Sequence, residues 1–332
     1  MSLSTRAATL ADVDALAALL LRAAKQRHAQ DASLWSLPAD AKERIAQSIR
    51  SYLEAENPPF RQQWLLGLEG GEIIGAVHSI LLPVPPIYAG DFGPPGLIMD
   101  DFYVHPDAPA GSAAQLFEAA QEDLIAAGAQ VLLAACARAG GPLDVIQEAG
   151  YAPLTLYFAK TALSRQDGAG QEIRDAAPPD IAGIVAASAE NRKLLHDLNS
   201  FWKPHAQADA RFGGWMTRSL SLPDRDMRVS SEHGQISGYC VSQPATALHF
   251  PSAHSVQGIG FIDDYYHSDF ADPQVLAQGG AGALALLRAG ESALEARGNH
   301  AALLVCPAAW ASKIEMLGKA GFETALTWFI KE

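Results

Sequence analysis

The sequence predicts an α/β protein in which one unit is written twice, each copy a mixed, mostly antiparallel sheet flanked by helices. Three repeats carry that reading. Ala149-Gly150-Tyr151-Ala152-Pro153-Leu154-Thr155-Leu156-Tyr157-Phe158-Ala159-Lys160 returns 171 positions later as Ala320-Gly321-Phe322-Glu323-Thr324-Ala325-Leu326-Thr327-Trp328-Phe329-Ile330-Lys331. Asp100-Asp101-Phe102-Tyr103 returns at a shift of 163 as Asp263-Asp264-Tyr265-Tyr266. Arg6, Asp12 and Val13 return at a shift of 168 as Arg174, Asp180 and Ile181. Short periods mark solenoids, whereas a period of this size is that of a whole domain. The expected division is a first unit over 1–163, a linker over 164–171 and a second unit over 172–332. The linker is polar, glycine-bearing and aperiodic.

Each element follows in turn. Thr9-Leu10-Ala11-Asp12 has the layout of a capping box, and Val13, Leu16, Leu19 and Leu20 stand behind it at helical spacing. Pro178-Pro179-Asp180 opens the equivalent helix, with proline where a first turn tolerates it. A second helix is expected over 41–53. A hairpin follows, from Trp64 to Leu68, through a Glu69-Gly70-Gly71 turn, then Ile73 to Leu81. Its repeat runs Met227 to Ser230, Glu232-His233-Gly234, then Ile236 to Ser242. A proline-rich loop over 83–95 leads to an apolar strand from Leu97 to Val104, repeated as Gly258 to Tyr266. Each strand passes through a small-residue loop into a long helix, 113–127 or 283–296. A buried strand ending in Cys136 or Cys306, a further helix and the closing strand complete each copy.

Composition excludes several classes. Hydrophobic residues make up 49% and charged residues 18% of the 332, a globular balance. No apolar run approaches the roughly 18 to 20 residues of a membrane span, and the first residues lack the layout of a signal peptide. Three cysteines are too few and too odd for a disulfide framework, which points to a reducing cytoplasm. A formal charge of −13 argues against a nucleic-acid partner. No His-x-x-x-His or Cys-x-x-Cys spacing indicates a metal.

The element order, the Arg-x-Ala-x-x-x-Asp opening at Arg6 to Asp12 and the closing Ala-Gly-aromatic strand together resemble the GNAT superfamily of acyl-CoA-dependent N-acetyltransferases, once per half. The resemblance implies two tandem GNAT-like domains and acetyl-CoA, or another acyl-CoA, as cofactor. It also implies a diphosphate held by backbone amides at the start of the central helix, where a dipole end and glycines favour phosphate. In the second unit that stretch is Gln278-Gly279-Gly280-Ala281-Gly282-Ala283. In the first it is Gly111, Ser112 and Ala113, preceded by Pro109, which lacks an N–H. The second unit is therefore expected to bind the cofactor more tightly. Tyr103, Val104, Tyr265 and Tyr266, at the ends of the cofactor-side strands, are expected to border the same site.

Acyl transfer needs the amine neutral, and a carboxylate commonly takes its proton. Strand neighbours face opposite ways, so at most one acid of each pair is expected to face the cleft. Asp101 and Asp264 are the candidates for base or ammonium anchor, and the alternative for each is a structural pairing. The resemblance places a thiolate-protonating tyrosine at Ile146 and Leu317, where neither unit has one. Tyr103, Tyr265, Tyr266, His267 or water is left for that step. Cys136 and Cys306 read as small buried residues. Acceptor choice would fall to the loops at Arg27 to Trp35 and His196 to His205. The expected function is acetyl transfer to a primary amine of a small molecule. The alternative is a non-catalytic acyl-CoA-binding or interaction protein. The expected state is a monomer with pseudo-dimeric domains or a homodimer.

Overall fold

The computed structural model describes residues 3–137, 142–164, 173–246 and 250–331. All of the expected linker except Ser164 lies outside the described residues. The first copy runs β1 (Ser4–Ala7), α1 (Val13–Gln30), α2 (Ala41–Leu53), β2 (Arg61–Glu69), β3 (Glu72–Leu81), β4 (Gly96–Val104), α3 (Ser112–Ala126), β5 (Leu132–Ala137), α4 (Leu143–Glu148) and β6 (Ala152–Thr161). The second runs β7 (Ile173–Asp175), α5 (Ile181–Leu198), α6 (Ala208–Ser219), β8 (Asp226–Glu232), β9 (Gln235–Pro244), β10 (Ile259–His267), α7 (Ala281–Ala296), β11 (Ala301–Pro307), α8 (Ala311–Lys319) and β12 (Glu323–Lys331).

The repeated Arg and Asp near each start serve the fold. Asp12 accepts the Thr9 N–H at 2.8 Å and pairs with Arg6 at 2.7 Å. Asp180 does the same for Ala177 at 2.8 Å and Arg174 at 2.6 Å. Only one arm of the expected capping box matches, because the Thr9 hydroxyl donates to Asp12 instead of accepting from the helix. The hairpin turns are two-residue turns with both central residues left-handed. Gly70 and Gly71 have φ of 58° and 93°, and His233 and Gly234 have φ of 52° and 80°. That geometry matches the twist of the flanking strands.

The strands form one twelve-stranded sheet in the order β1-β2-β3-β4-β5-β12-β6-β11-β10-β9-β8-β7. Its order is palindromic about the β12–β6 pair, and the closing strands are exchanged. β12 pairs with β5, and β6 pairs with β11, so each copy's last strand completes the other copy's half. An apolar cluster at the junction draws Leu34, Trp35 and Leu154 from the first copy and Trp202, Phe261 and Leu326 from the second. Loops are exchanged as well. In the first copy's proline-rich loop, Ala89 donates to Lys203 O at 2.7 Å, and Ile87 O accepts from His205 N at 2.9 Å. In return Ser255 N donates to Ser36 O at 3.0 Å, and Phe250 packs edge-on against Trp35 at 5.1 Å.

Among the described residues, two strand pairs are parallel. β4 meets β5 over Gly96 to Ile98 alone, and β10 meets β11 over Ile259 to Ile262 alone. Beyond those residues the strands part, which opens a wedge in each half of the sheet. Among the described residues, no helix is long and apolar enough to cross a membrane.

Candidate functional site

In the second unit the wedge holds a cavity of about 280 Å³. β10 is bulged at its mouth, because Ile262 pairs with Ser242 while Asp264 pairs with Val241, leaving Asp263 as the extra residue. A bulge breaks strand alternation. Asp263 and Asp264 therefore both line the cavity, which corrects the expectation that only one acid of the pair does so. The Tyr239 hydroxyl donates to Asp264 Oδ1 at 2.7 Å. Burial pushes the Asp264 carboxyl up to about 6, against the opposing pull of that hydroxyl. Lys313, from α8, also lines the cavity and is buried. Its Nζ donates to the Tyr265 carbonyl at 2.8 Å and lies 5.3, 5.7 and 5.3 Å from the rings of Tyr265, Phe270 and Trp310. Burial pulls its pKa down.

The equivalent place in the first unit is filled. Arg27, 4% exposed, stands at a shift of 168 from Leu195, a cavity-lining residue of the second unit. Its guanidinium reaches Asp100 at 2.9 Å and Asp101 at 3.3 Å, and its Nε donates to His254 Nε2 at 3.0 Å. His78 stands 3.5 Å from the other Asp101 oxygen. Burial pushes Asp101 up, but His78 and Arg27 outweigh it and hold the carboxyl below its usual range. Burial beside Arg27 pulls His254 down to about 4, so it stays neutral and accepts. Asp101, expected as a base, is thus a member of a closed ion network. Here too a bulge lets both acids point at one partner, since Val77 pairs with Phe102 and Ser79 with Ile98.

The two expected diphosphate loops differ in the opposite direction. In the second unit, Gln278, Gly279 and Gly280 are all left-handed, with φ of 49°, 65° and 77°. They turn the chain so that α7 begins over Asp269, whose carboxylate accepts the Ala283 N–H at 2.9 Å and also bonds the Gly282 amide. His267 lies 3.4 Å from the same carboxylate. Amides expected to face a diphosphate are therefore taken by the chain's own acid. Ala281 is the first residue of α7. The Tyr265 hydroxyl donates to Ala283 O at 2.5 Å, and the Tyr266 hydroxyl to Glu190 at 3.2 Å. Trp310 is wholly buried and packs edge-on against Phe270 at 6.2 Å. Two of the amides in the expected cradle, those of Gly282 and Ala283, are thus already bonded within the chain.

In the first unit the wedge opens as a cleft of about 650 Å³ lined by Tyr103 and Val104 of β4, Ala113 of α3, Gln26 and Gln30 of α1, and Asp144 of α4. Gly111, at φ 85°, caps α3, and a Cβ there would meet only Gln115 Nε2, at 3.7 Å. The backbone is accordingly open to close approach. Among the described residues, none accepts from the Ala113 or Ala114 N–H. The Ser112 N–H is spent on Pro109 O at 3.1 Å, so that proline contributes its carbonyl and costs the helix start nothing further. The start of α3 thus leaves the Ala113 and Ala114 amides open, where Asp269 bonds the Gly282 and Ala283 amides of α7.

Several of these features escape sequence reasoning. Asp269 and Lys313 lie outside the matched motifs. Tyr88 lines the second unit's cavity from the first unit's loop, a contact no local pattern encodes. Comparing α1 with α5 position by position would have exposed the Arg27 and Leu195 difference. Ile146 and Leu317 are fully buried. Cys136 and Cys306 are buried, and burial pushes both thiols up to about 12.

No protein-family model matches the sequence, and no curated protein matches it. Solved structures do. A GCN5-related N-acetyltransferase from Sphaerobacter thermophilus superposes with a TM-score of 0.59 at 18% identity, over 99% of this chain and 95% of that one. A tandem GNAT protein from the clavulanic acid biosynthesis pathway aligns over 100% of this chain and 98% of its own, at 15% identity and a TM-score of 0.48.

Proposed function

We propose that this chain, which has the GNAT fold in two tandem units over 99% of its length, is an acyl-CoA-dependent N-acyltransferase whose first unit holds the donor. The observation that carries this reading is the pairing of an open wedge with an open helix start in the first unit alone. The free amides of Ala113 and Ala114, at the positive end of the α3 dipole, are suited to a diphosphate. The edge of β4 beyond Ile98, released from β5, offers main-chain groups to an extended amide-bearing arm. An acyl-CoA bound there would supply an activated thioester. The cleft passes from α4 to α1, so Gln26 and Gln30 stand where an acceptor would enter. Asp144 is the carboxylate of the lining. It attracts an ammonium and passes the proton to water, which a primary amine requires before attack. A chain charge of −13 favours the approach of such a cation.

One observation favours a second reading. Asp101 is tied to Arg27 and His78, so the acid that the family resemblance assigns to proton removal is not free. The same cleft would then bind acyl-CoA without transferring the acyl group.

Calorimetric titration with acetyl-CoA separates these unit assignments. Gly111→Asp should abolish binding, whereas Gly279→Asp, also at a left-handed position with open space around it, should not. The reverse pattern would return the donor to the second unit. Release of free thiol with a panel of primary amines then distinguishes transfer from binding alone.

A further inference from the structure

The cavity of the second unit is left unused by this donor site. We propose that it is a binding site for a small organic ammonium ion, held without acyl transfer and closed over by the first unit's proline-rich loop. Three acceptors converge there. Asp263 and Asp264 line it side by side, and Asn191, 9% exposed, lines it too and carries an Oδ1 that has no partner. A buried acceptor left unpaired is costly, and an N–H donor from a ligand would satisfy it. Trp202, Trp215 and Tyr88 add aromatic walls, and ring faces attract cations.

The cations already present are committed elsewhere. Arg192 donates to Ser188 Oγ and pairs with Asp209 at 2.6 Å. Lys313 donates to the Tyr265 carbonyl, and burial pulls its pKa down. The first unit supplies the comparison. There the equivalent acid pair is met by an internal cation, Arg27, at 2.9 and 3.3 Å. The second unit has Leu195 at that place, and the acids face a cavity instead.

The donor side of this wedge is committed to the protein's own groups. Asp269 takes the Gly282 and Ala283 amides of α7, and Lys313 stands in the cavity wall. The lid belongs to the other unit. Tyr88 and Ile87 line the cavity, and their loop is tied down by the Ala89 and His205 main-chain bonds and by Lys203 to Asp91 at 2.6 Å.

Calorimetry on the full chain tests the site with benzylammonium and butylammonium, with neutral benzyl alcohol and with benzoate. At least one ammonium probe should bind, and the alcohol and benzoate should bind about tenfold more weakly or worse. Asp264→Asn and Asn191→Leu should each weaken the ammonium about tenfold or more. Leu195→Arg, which supplies the internal cation of the first unit, should abolish binding. Gly111→Asp should leave it unchanged, which separates this site from the acyl-CoA cleft. Failure of both ammonium probes to bind, preference for benzoate, or indifference to Asp264→Asn and Leu195→Arg would overturn the proposal. Acylation of a probe by acetyl-CoA that is lost in Asp264→Asn would overturn it as well, by making the cavity an acceptor pocket.

Discussion

Arg27 and Leu195 occupy equivalent places on the first long helix of each copy, and they give the two acid pairs different surroundings. The Arg27 guanidinium sits 2.9 Å from Asp100 and closes the first unit's acid pair into an ion network. Leu195 lines a cavity onto which the second unit's pair opens. The two copies share one frame, and their acid pairs face an internal cation in one and a cavity in the other.

Removing Arg27 should therefore be costly. Arg27→Leu leaves Asp100 and Asp101 buried without their cation, and breaking a buried pair in this way costs about 3 to 5 kcal/mol. Chemical denaturation monitored by circular dichroism would measure it. A loss below about 1 kcal/mol, the worth of an exposed pair, would contradict the buried network.

Asp264 should impose a pH dependence of a definite sign. Its folded pKa of about 6 lies above the unfolded value of 3.8, so the folded state binds the proton more tightly. Stability should fall as pH rises through that interval, and the penalty is complete above about 6, on the order of 3 kcal/mol at most. Asp264→Asn should remove the slope and raise stability at neutral pH. The groups facing Asp264 are Tyr239 of β9, Asp263 of β10, Lys313 of α8, Arg192 of α5 and Tyr88 of the first unit's loop. An unchanged stability–pH curve in the Asn variant would show that Asp264 titrates normally.

Asp269 should behave oppositely. His267 and the helix amides outweigh burial and hold its carboxyl below the usual range, so its stabilisation is lost as pH falls through the acid limb. Asp269→Ala uncaps α7 and should cost about 1 to 2 kcal/mol at neutral pH. Asp269→Asn should cost less, because an acceptor for the Ala283 N–H remains. Equal losses in both would indicate that charge, not the bond, does the capping.

The exchanged strands predict that neither half is self-sufficient. Residues 1–163 alone leave the long edge of β5 without β12, and an exposed apolar edge seeks a partner. That fragment should aggregate or dimerise on size-exclusion chromatography, and adding residues 172–332 should restore the folded assembly. A monomeric fragment with a cooperative melt would contradict the exchange.

These outcomes mark how far the sequence could be read. The element order was legible because its signals are local: the glycines at 70, 71 and 234, the repeated Asp12 and Asp180, and the alternation in the hairpins. The exchange of β6 and β12 was not, since Phe158 and Phe329 sit in matching segments and either strand satisfies either neighbour. The bulges at the acid pairs have no residue signature, so strict alternation misassigned which acids face the wedge. Asp269 lies fourteen residues before the amide it caps, and a motif read along the chain cannot see a carboxylate folded back onto it.

The most direct test of the central claim is a structure of the full chain determined with acetyl-CoA. The account predicts density in the first unit, along Tyr103 and Val104, with the diphosphate at the start of α3 beside Gly111 and Ala113. Density at the start of α7, with Asp269 displaced from the Ala283 N–H, would contradict it.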